Sequence, residues 1–370
     1  MKVLILLTYY YPHWTGLTQY AVRLAEGLAH KSYRVKVVTT KHESGLKEEE
    51  IINGVHVVRK SVLLRISRAF VSPSLILSLI NQIKAVDRII VYLPFSESII
   101  VSVICRIFNK KLYLIHNGDL VLPTGIVNRL IEKAYYVSTY LSMLFANAVI
   151  IQTADYAQNS PLLARFEHKW RVILPLYKKN KSKSEKEITS NTTIGFAGRF
   201  VEEKGFDILL QAIPLIITKI PHAKFLFAGD TNIPYENFFS KNSELISKNQ
   251  KYLQLKGRLN EQQMQHFYRI CRVFVIPSRS DCFPSVGVEA MLAGLPLVVT
   301  DIPGARMQVK MTGMGVLVPS VNSAALAEAI IKVLKNKERY VSPKIKKRVQ
   351  ELFDYEKTLR AYETLFTKGD

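Results

Sequence analysis

One feature narrows the fold of this chain more than any other: short β-branched runs alternate with stretches of helical period along its 370 residues. Repeated strand-helix units bury both strand faces in a parallel sheet with helices on either side. The alternation predicts strands near Val3–Leu7, Val35–Thr39, Val55–Val58, Ile89–Val91, Lys111–Ile115, Ala148–Ile151 and Val172–Leu174. A second set follows near Thr193–Ala197, Lys224–Ala228, Tyr252–Leu255, Val273–Ile276, Leu297–Thr300 and Gly315–Val318. Helices such as Gln19–His30 and Ser98–Phe108 fall between. From Tyr177 to Thr193 the chain is Lys- and Ser-rich with one aliphatic residue, a solvated linker between two separate Rossmann-like sheets. The expected domains are 1–176, a linker 177–192, a second domain 193–352 and a final helix 353–370.

Composition excludes several classes. An apolar content of 48% is ample for two packed cores, so a disordered tail or a disulfide mini-scaffold is ruled out. Fifty-one Lys and Arg against 30 Asp and Glu leave +21, which favours an anionic partner such as phosphate, nucleic acid or a lipid headgroup. Cys105, Cys271 and Cys282 form no CxxC and have no His at zinc spacing, which fits a reducing compartment and a cytoplasmic location. The apolar run Val3–Leu7 breaks off too early for a signal peptide. Ala134–Ala154 is uncharged but rich in Tyr and Ser, and reads as an amphipathic helix running into a strand near Ala148–Ile151 rather than a membrane span. Neither GxGxxG nor GxxxxGK[ST] occurs, and no helix-turn-helix, zinc-finger or RNP-like pattern supports nucleic-acid binding.

In open α/β sheets ligands bind beyond the carboxyl ends of the strands. There the most informative stretch is VIPSRSDCFPSVGVEAMLAGLPLVVTDIP, Val275 to Pro303. A strand ends at Ile276, a loop carries Asp281, and a helix begins around Pro284-Ser285 and ends at Gly294, following the usual Pro-first, Gly-last asymmetry. The N–H groups of Ser285, Val286 and Gly287 would be free to meet a phosphate. Glu289 is either a helix carboxylate favoured by the dipole or an acceptor for ligand hydroxyls. Arg199 and Lys204, beside Gly198 and Gly205, are by themselves readable as surface charges. His116, directly after a strand, is either a packed histidine or a site group.

The Val275–Pro303 segment resembles the donor-binding signature of the retaining GT-B glycosyltransferases of glycosyltransferase family 4, a Glu, seven residues, then a Glu; here the two positions are Asp281 and Glu289. YYPHWTGLTQYAVRLAEGLAHKSYRVKVVT, TIGFAGRFVEEKGFDILLQA, KGRLNEQQMQHFYRICRVFVIPS and YEKTLRAYETLF resemble other family segments in the family's order, so the likeness covers nearly the whole chain. It implies a GT-B architecture: two Rossmann-like doubly wound domains facing a cleft, with the C-terminal helix packing back on the first. It further implies that Arg199 and Lys204 hold the donor diphosphate, Asp281 touches the sugar hydroxyls and Glu289 the ribose. Gly257 and Arg258 would flank the base, and Phe283, Pro284, Ser285 and Val286 would form the donor helix entry. Gly16 would let backbone approach phosphate or sugar, and His116 would contact the transferred sugar at its C6 hydroxyl.

The implied reaction moves a hexose or related sugar from a nucleotide-sugar to a cell-surface glycan or lipid-linked acceptor with retained anomeric configuration. The nucleotide-sugar is a co-substrate, and no cofactor is expected. No DxD occurs, so no divalent metal is expected; fixed cations and a helix N-terminus would stabilise the leaving diphosphate instead. The chain departs from the family at Thr15, where a glycine is usual, at Asp281, one methylene shorter than Glu, at Pro303-Gly304, and after Leu174, where Asn-Gly-Val-Asp is absent. The alternatives are a weakened GT-B binding or partner subunit and a GT-B epimerase or phosphorylase.

Residues 1–190 carry a net +13 against +8 for the remainder, so the acceptor-side half is the more cationic. Between Ile51 and Val86 no acid occurs, while Arg59, Lys60, Arg65, Arg68 and Lys84 stand among apolar residues. This segment suits the surface of an anionic membrane, with peripheral contact at its inner face, or else two core helices with solvated outer faces.

Overall fold

Uninterrupted aliphatic runs make the middle of each sheet. In the first, β1 (Lys2–Leu6) is followed by α1 (Gly16–His30), β2 (Arg34–Thr40), β3 (Glu49–Ile52) and β4 (Val55–Lys60). A small antiparallel hairpin of β5 (Leu64–Ile66) and β6 (Ala69–Val71) leads into α2 (Pro73–Lys84), β7 (Arg88–Leu93) and α3 (Ser98–Ile107). Then come β8 (Lys111–His116), α4 (Ile126–Phe145), β9 (Ala148–Ile151), α5 (Ala154–Asn159) and β10 (Trp170–Val172). The sheet order is β10-β9-β8-β7-β1-β2-β4-β3, parallel except for β3. This computed structural model describes residues 1–66, 69–71, 73–122, 125–177, 192–233 and 236–368.

The second sheet begins with β11 (Thr193–Ala197), α6 (Phe206–Lys219), β12 (Lys224–Ala228), α7 (Phe238–Lys241), α8 (Ser243–Asn249) and β13 (Leu253–Gly257). It continues through α9 (Glu261–Ile270), β14 (Val273–Ile276), α10 (Ser285–Leu292), β15 (Leu297–Thr300), α11 (Met307–Thr312) and β16 (Gly315–Val318). Three helices follow, α12 (Ser323–Lys335), α13 (Lys337–Tyr340) and α14 (Pro343–Leu352), and α15 (Tyr355–Lys368) ends the chain. The order β13-β12-β11-β14-β15-β16 is parallel throughout. By contacts the chain divides into Met1–Lys178 with Tyr355–Asp370, and Lys179–Asp354. Of the expected linker, residues 178–191 lie outside the described residues.

Strand periodicity sorts the first core into two layers. Val3 and Ile5 of β1 point to the side packed by α1 and α15, whereas Leu4 and Leu6 point to the side packed by α2, α3 and α4. Helix α15 returns to this first unit, where Leu359, Tyr362 and Phe366 are buried. Gly27 of α1 makes room for it, since a Cβ there would lie 2.6 Å from the Tyr355 hydroxyl. The Tyr20 and Tyr362 hydroxyls are hydrogen-bonded, and Arg88 donates twice to the Phe366 carbonyl, at 3.1 and 2.7 Å.

Three expectations need correction. Strand β3 and the β5–β6 hairpin are short elements that the sequence reading missed, and the last strand of the first sheet is Trp170–Val172 rather than Val172–Leu174. The stretch Ile51–Val86 is not two core helices: it supplies β4, the hairpin and α2. Arg59 is no surface cation. Its guanidinium is buried and donates to Glu50 at 2.5 Å, to the Lys47 carbonyl at 3.0 Å and to the Tyr11 carbonyl at 2.8 Å, which offsets the cost of burying the charge. Arg68 lies outside the described residues. Among those residues no helix is long and apolar enough to cross a membrane.

Because Phe366 is buried in the first core and Arg88 holds its carbonyl, Phe366→Ala is expected to cost about 3–5 kcal/mol. Chemical unfolding followed by circular dichroism checks this; a midpoint equal to wild type would show that α15 does not stabilise the first unit.

Candidate active site

The chain crosses from one side of β11 to the other when it enters β14, so β11 and β14 flank the topological switch point of the second sheet. Loops diverge there and leave room for a ligand. The loop after β11 carries Arg199 and Lys204, and the loop after β14 carries Asp281. The structure brings all three together: Lys204 Nζ donates to Asp281 Oδ2 at 2.6 Å, and Arg199 Nη2 to Glu203 Oε1 at 2.6 Å. Desolvation works against the Lys204 ammonium, but the carboxylates of Asp281 and Glu203 outweigh it and raise its pKa. An ammonium has three N–H donors, so the bond to Asp281 orients Lys204 without exhausting it.

Arg279, which sequence reasoning missed, ties the two loops. Its guanidinium grips Asp207 of α6 through both carboxylate oxygens, at 2.8 and 2.6 Å, and donates to the Glu202 carbonyl at 2.8 Å. Its backbone N–H donates to the Glu203 carbonyl at 2.8 Å. The hydrogen bonds and charge of Asp207 raise the Arg279 pKa. Gly205 makes the close approach possible: its φ is +66°, and a Cβ would sit 2.0 Å from the Pro277 carbonyl oxygen. Gly304 plays the same part on the other side, with φ +84° and a virtual Cβ 2.0 Å from the Cys282 carbonyl oxygen.

The N-terminus of α10 follows Asp281 directly. Ser285 and Val286 have no acceptor for their N–H groups among the described residues, as anion binding would need. Gly287 departs from expectation, because its N–H donates to the Pro284 carbonyl at 3.1 Å. That carbonyl also accepts from Gln308 Nε2 at 2.6 Å. Phe283 is buried and its ring lies near that of Phe353, ring centroids 6.2 Å apart. Glu289 is half-buried and accepts from the Tyr268 hydroxyl at 3.1 Å. Gly257 ends β13 at φ +64° with open space where a side chain would be, and Arg258 Nε lies 3.8 Å from Asp230 Oδ2.

On the first unit, Thr15 caps α1 by accepting from the Thr18 N–H at 3.3 Å, which gives the residue in the usual glycine position a structural task; Gly16 is the exposed first residue of the helix. His116 ends β8 and is 1% exposed. Its Nδ1 accepts from the Gly118 N–H at 3.3 Å, which puts the ring proton on Nε2, 3.4 Å from Asp119 Oδ1. Asp119 accepts from the Tyr156 hydroxyl at 2.9 Å and the Ser160 hydroxyl at 3.1 Å. Burial would raise its pKa, but the His116 ring and these hydroxyls outweigh that and hold the carboxyl below its ordinary range. The sequence reading singled out His116 alone; Asp119, three residues on, is the more exposed member of the pair.

Removing the Arg279 clamp strands a mostly buried Asp207. Arg279→Ala is expected to cost about 2–3 kcal/mol, discounted for the partial exposure of the pair, and Asp207→Asn in that background to recover part of it. Melting curves of the two variants check this; additive losses would show that the clamp carries no coupling.

Comparison with known proteins bears on this geometry. Residues 178–350 match the family model described as "Glycosyl transferases group 1". An uncharacterized glycosyltransferase of Methanocaldococcus jannaschii is 26% identical over 343 residues, 91% of this chain and 90% of its own length. A phosphatidyl-myo-inositol mannosyltransferase of Mycobacterium leprae is 30% identical over 184 residues, 48% of each chain, so the match spans about half of that protein. Among solved structures, Anabaena HepE in complex with UDP and glucose superposes with a TM-score of 0.79 at 17% identity, covering 99% of both chains. The chain thus has the GT-B fold, and its residues 178–350 are similar to the group 1 glycosyl transferases.

Proposed function

We propose that this chain is a retaining, metal-independent glycosyltransferase of family 4 that moves a hexose or related sugar from a nucleotide-sugar to a glycan or lipid-linked acceptor at the cytoplasmic face of a membrane. The observation that carries the reading is the convergence of Arg199, Lys204 and the α10 N-terminus at the switch point of the second sheet. Cleaving a sugar–phosphate bond leaves negative charge on the departing diphosphate, and prepositioned cations and amide dipoles stabilise that charge without reorganising. The family match, and relatives named for glycosyl transfer to phosphatidyl-myo-inositol or solved with UDP and glucose, support the donor and acceptor classes.

In this reading Arg199 and Lys204 hold the diphosphate, with Ser285 and Val286 donating from α10. Glu289 takes the ribose hydroxyls, and Gly257 and Arg258 lie beside the base. Asp281 reads the sugar while Lys204 fixes its carboxylate. His116, with Asp119 oriented beside it, contacts the transferred sugar. No enzymic nucleophile is assigned: the leaving phosphate takes the acceptor proton on the same face, so Asp281 and Glu289 are not an acid–nucleophile pair of the glycosidase kind.

Incubation with UDP-, GDP- and ADP-sugars, with and without membrane extract, is expected to give nucleotide release from one donor class that a chelator does not diminish. Donor binding without release in the presence of extract would favour the partner-subunit reading instead. Lys204→Ala and Arg199→Ala should each lower turnover on the order of 10²-fold with the fold intact, whereas wild-type rates would remove them from the site. Asp281→Glu should change the relative rates with different sugars on the same nucleotide; an unchanged profile would mean that this position does not read the sugar.

A further inference from the structure

Helices α2, α3 and α4 lie side by side on one face of the first sheet, and their outward surface is apolar. On α4, Val127, Leu130, Ala134, Val137, Leu141 and Leu144 recur at spacings of three and four, which puts them on one stripe along some 30 Å of helix. All six are exposed, Leu130 by 62% and Val137 by 56%. The opposite side of the helix, turned inward, holds the buried Thr139, Ser142 and Met143. Ser142 donates to Ser98 of α3 at 3.1 Å and Met143 packs into the core, while the aliphatic side chains of the stripe face out. Neighbouring helices extend the surface, with Ile107 of α3 68% exposed and Leu77 of α2 79%. A surface this long and apolar marks an interaction site.

We propose that this outer face of the α2–α3–α4 layer is where the protein rests on an anionic lipid bilayer. This deepens the reading of a lipid-linked acceptor and rests on it. Charge selects the occupant. Arg106, Arg129 and Lys133 are exposed beside the stripe and form no ion pair with any described residue. The single acid of α4, Glu132, is engaged, its carboxylate accepting the Leu122 N–H. A second copy of the chain would set these cations against their own equivalents, whereas anionic headgroups would pair with them. Position agrees as well. The chain runs from His116 into α4, so the exposed start of the stripe, Ile126 and Val127, lies toward the carboxyl-end edge of the strands, where His116 sits. A lipid-linked acceptor held in the bilayer would reach that edge first.

The test is flotation of the full-length protein with vesicles, without donor. Wild type should float with equal-part phosphatidylglycerol–phosphatidylcholine vesicles and far less with phosphatidylcholine alone. The triple variant Leu130→Gln, Val137→Gln, Leu141→Gln alters only exposed side chains and should melt like wild type yet bind the anionic vesicles at least tenfold more weakly. Arg129→Gln and Lys133→Gln should each weaken binding about fivefold, as expected for one cation near the lipid surface. Vesicle binding by the triple variant equal to wild type would overturn the proposal, placing any membrane contact elsewhere. So would a wild type that ignores vesicles and elutes as a dimer that the triple variant dissolves. Nucleotide release is measured separately, so the surface and the activity can fail independently: flotation without release refutes the activity alone, and release without flotation refutes the surface alone.

Discussion

The switch point of the second sheet depends on one ion pair. Lys204 and Asp281 lie on loops after neighbouring strands, and their 2.6 Å contact joins the two sides of the switch point. Neither side chain could hold its position alone: a solvated lysine samples many rotamers, and Asp281 sits on a loop. The Arg279–Asp207 clamp and the tight backbone crossing at Gly205 remove that freedom. The cations are thus placed before a ligand arrives, which is the condition under which fixed charges stabilise a leaving group most. The same pairing with Glu203 and Asp281 balances their charge within the protein.

The first unit shows the same economy in a different form. Asp119 gathers the His116 ring, Tyr156 and Ser160 around one carboxylate at the ends of β8 and β9. Beyond it, α4 reverses the usual amphipathic arrangement, with hydroxyl residues inward and aliphatic residues outward. Close packing on α3 brings Ser142 within hydrogen-bonding reach of Ser98, so that hydroxyl is satisfied inside the layer.

Much of this was legible in the sequence, for identifiable reasons. Strands such as Val273–Ile276 and Leu297–Thr300 are aliphatic runs buried on both faces, and nothing else in a soluble chain reads that way. Motif order singled out Arg199, Lys204 and Asp281, and the fold sets the loops that carry them on adjacent strands. Strands β3 and β5 were not legible, being three or four residues long without a clear period. The partnership of Arg279 with Asp207 spans 72 residues and leaves no local trace. The contact of Phe283 with Phe353 spans 70 residues and likewise leaves no local trace. For α4 the sequence disclosed an amphipathic helix and not which side faced the sheet, since that depends on the serines of α3.

The central claim is that a nucleoside diphosphate is held by fixed protein cations and backbone amides rather than through a metal ion. Calorimetric titration of UDP, GDP and ADP against their monophosphates, with a chelator present throughout, tests it most directly. The account requires that one diphosphate bind at least tenfold more tightly than its monophosphate under those conditions. Binding that disappears with the chelator and returns with a divalent cation, or equal affinity for mono- and diphosphate, would contradict it.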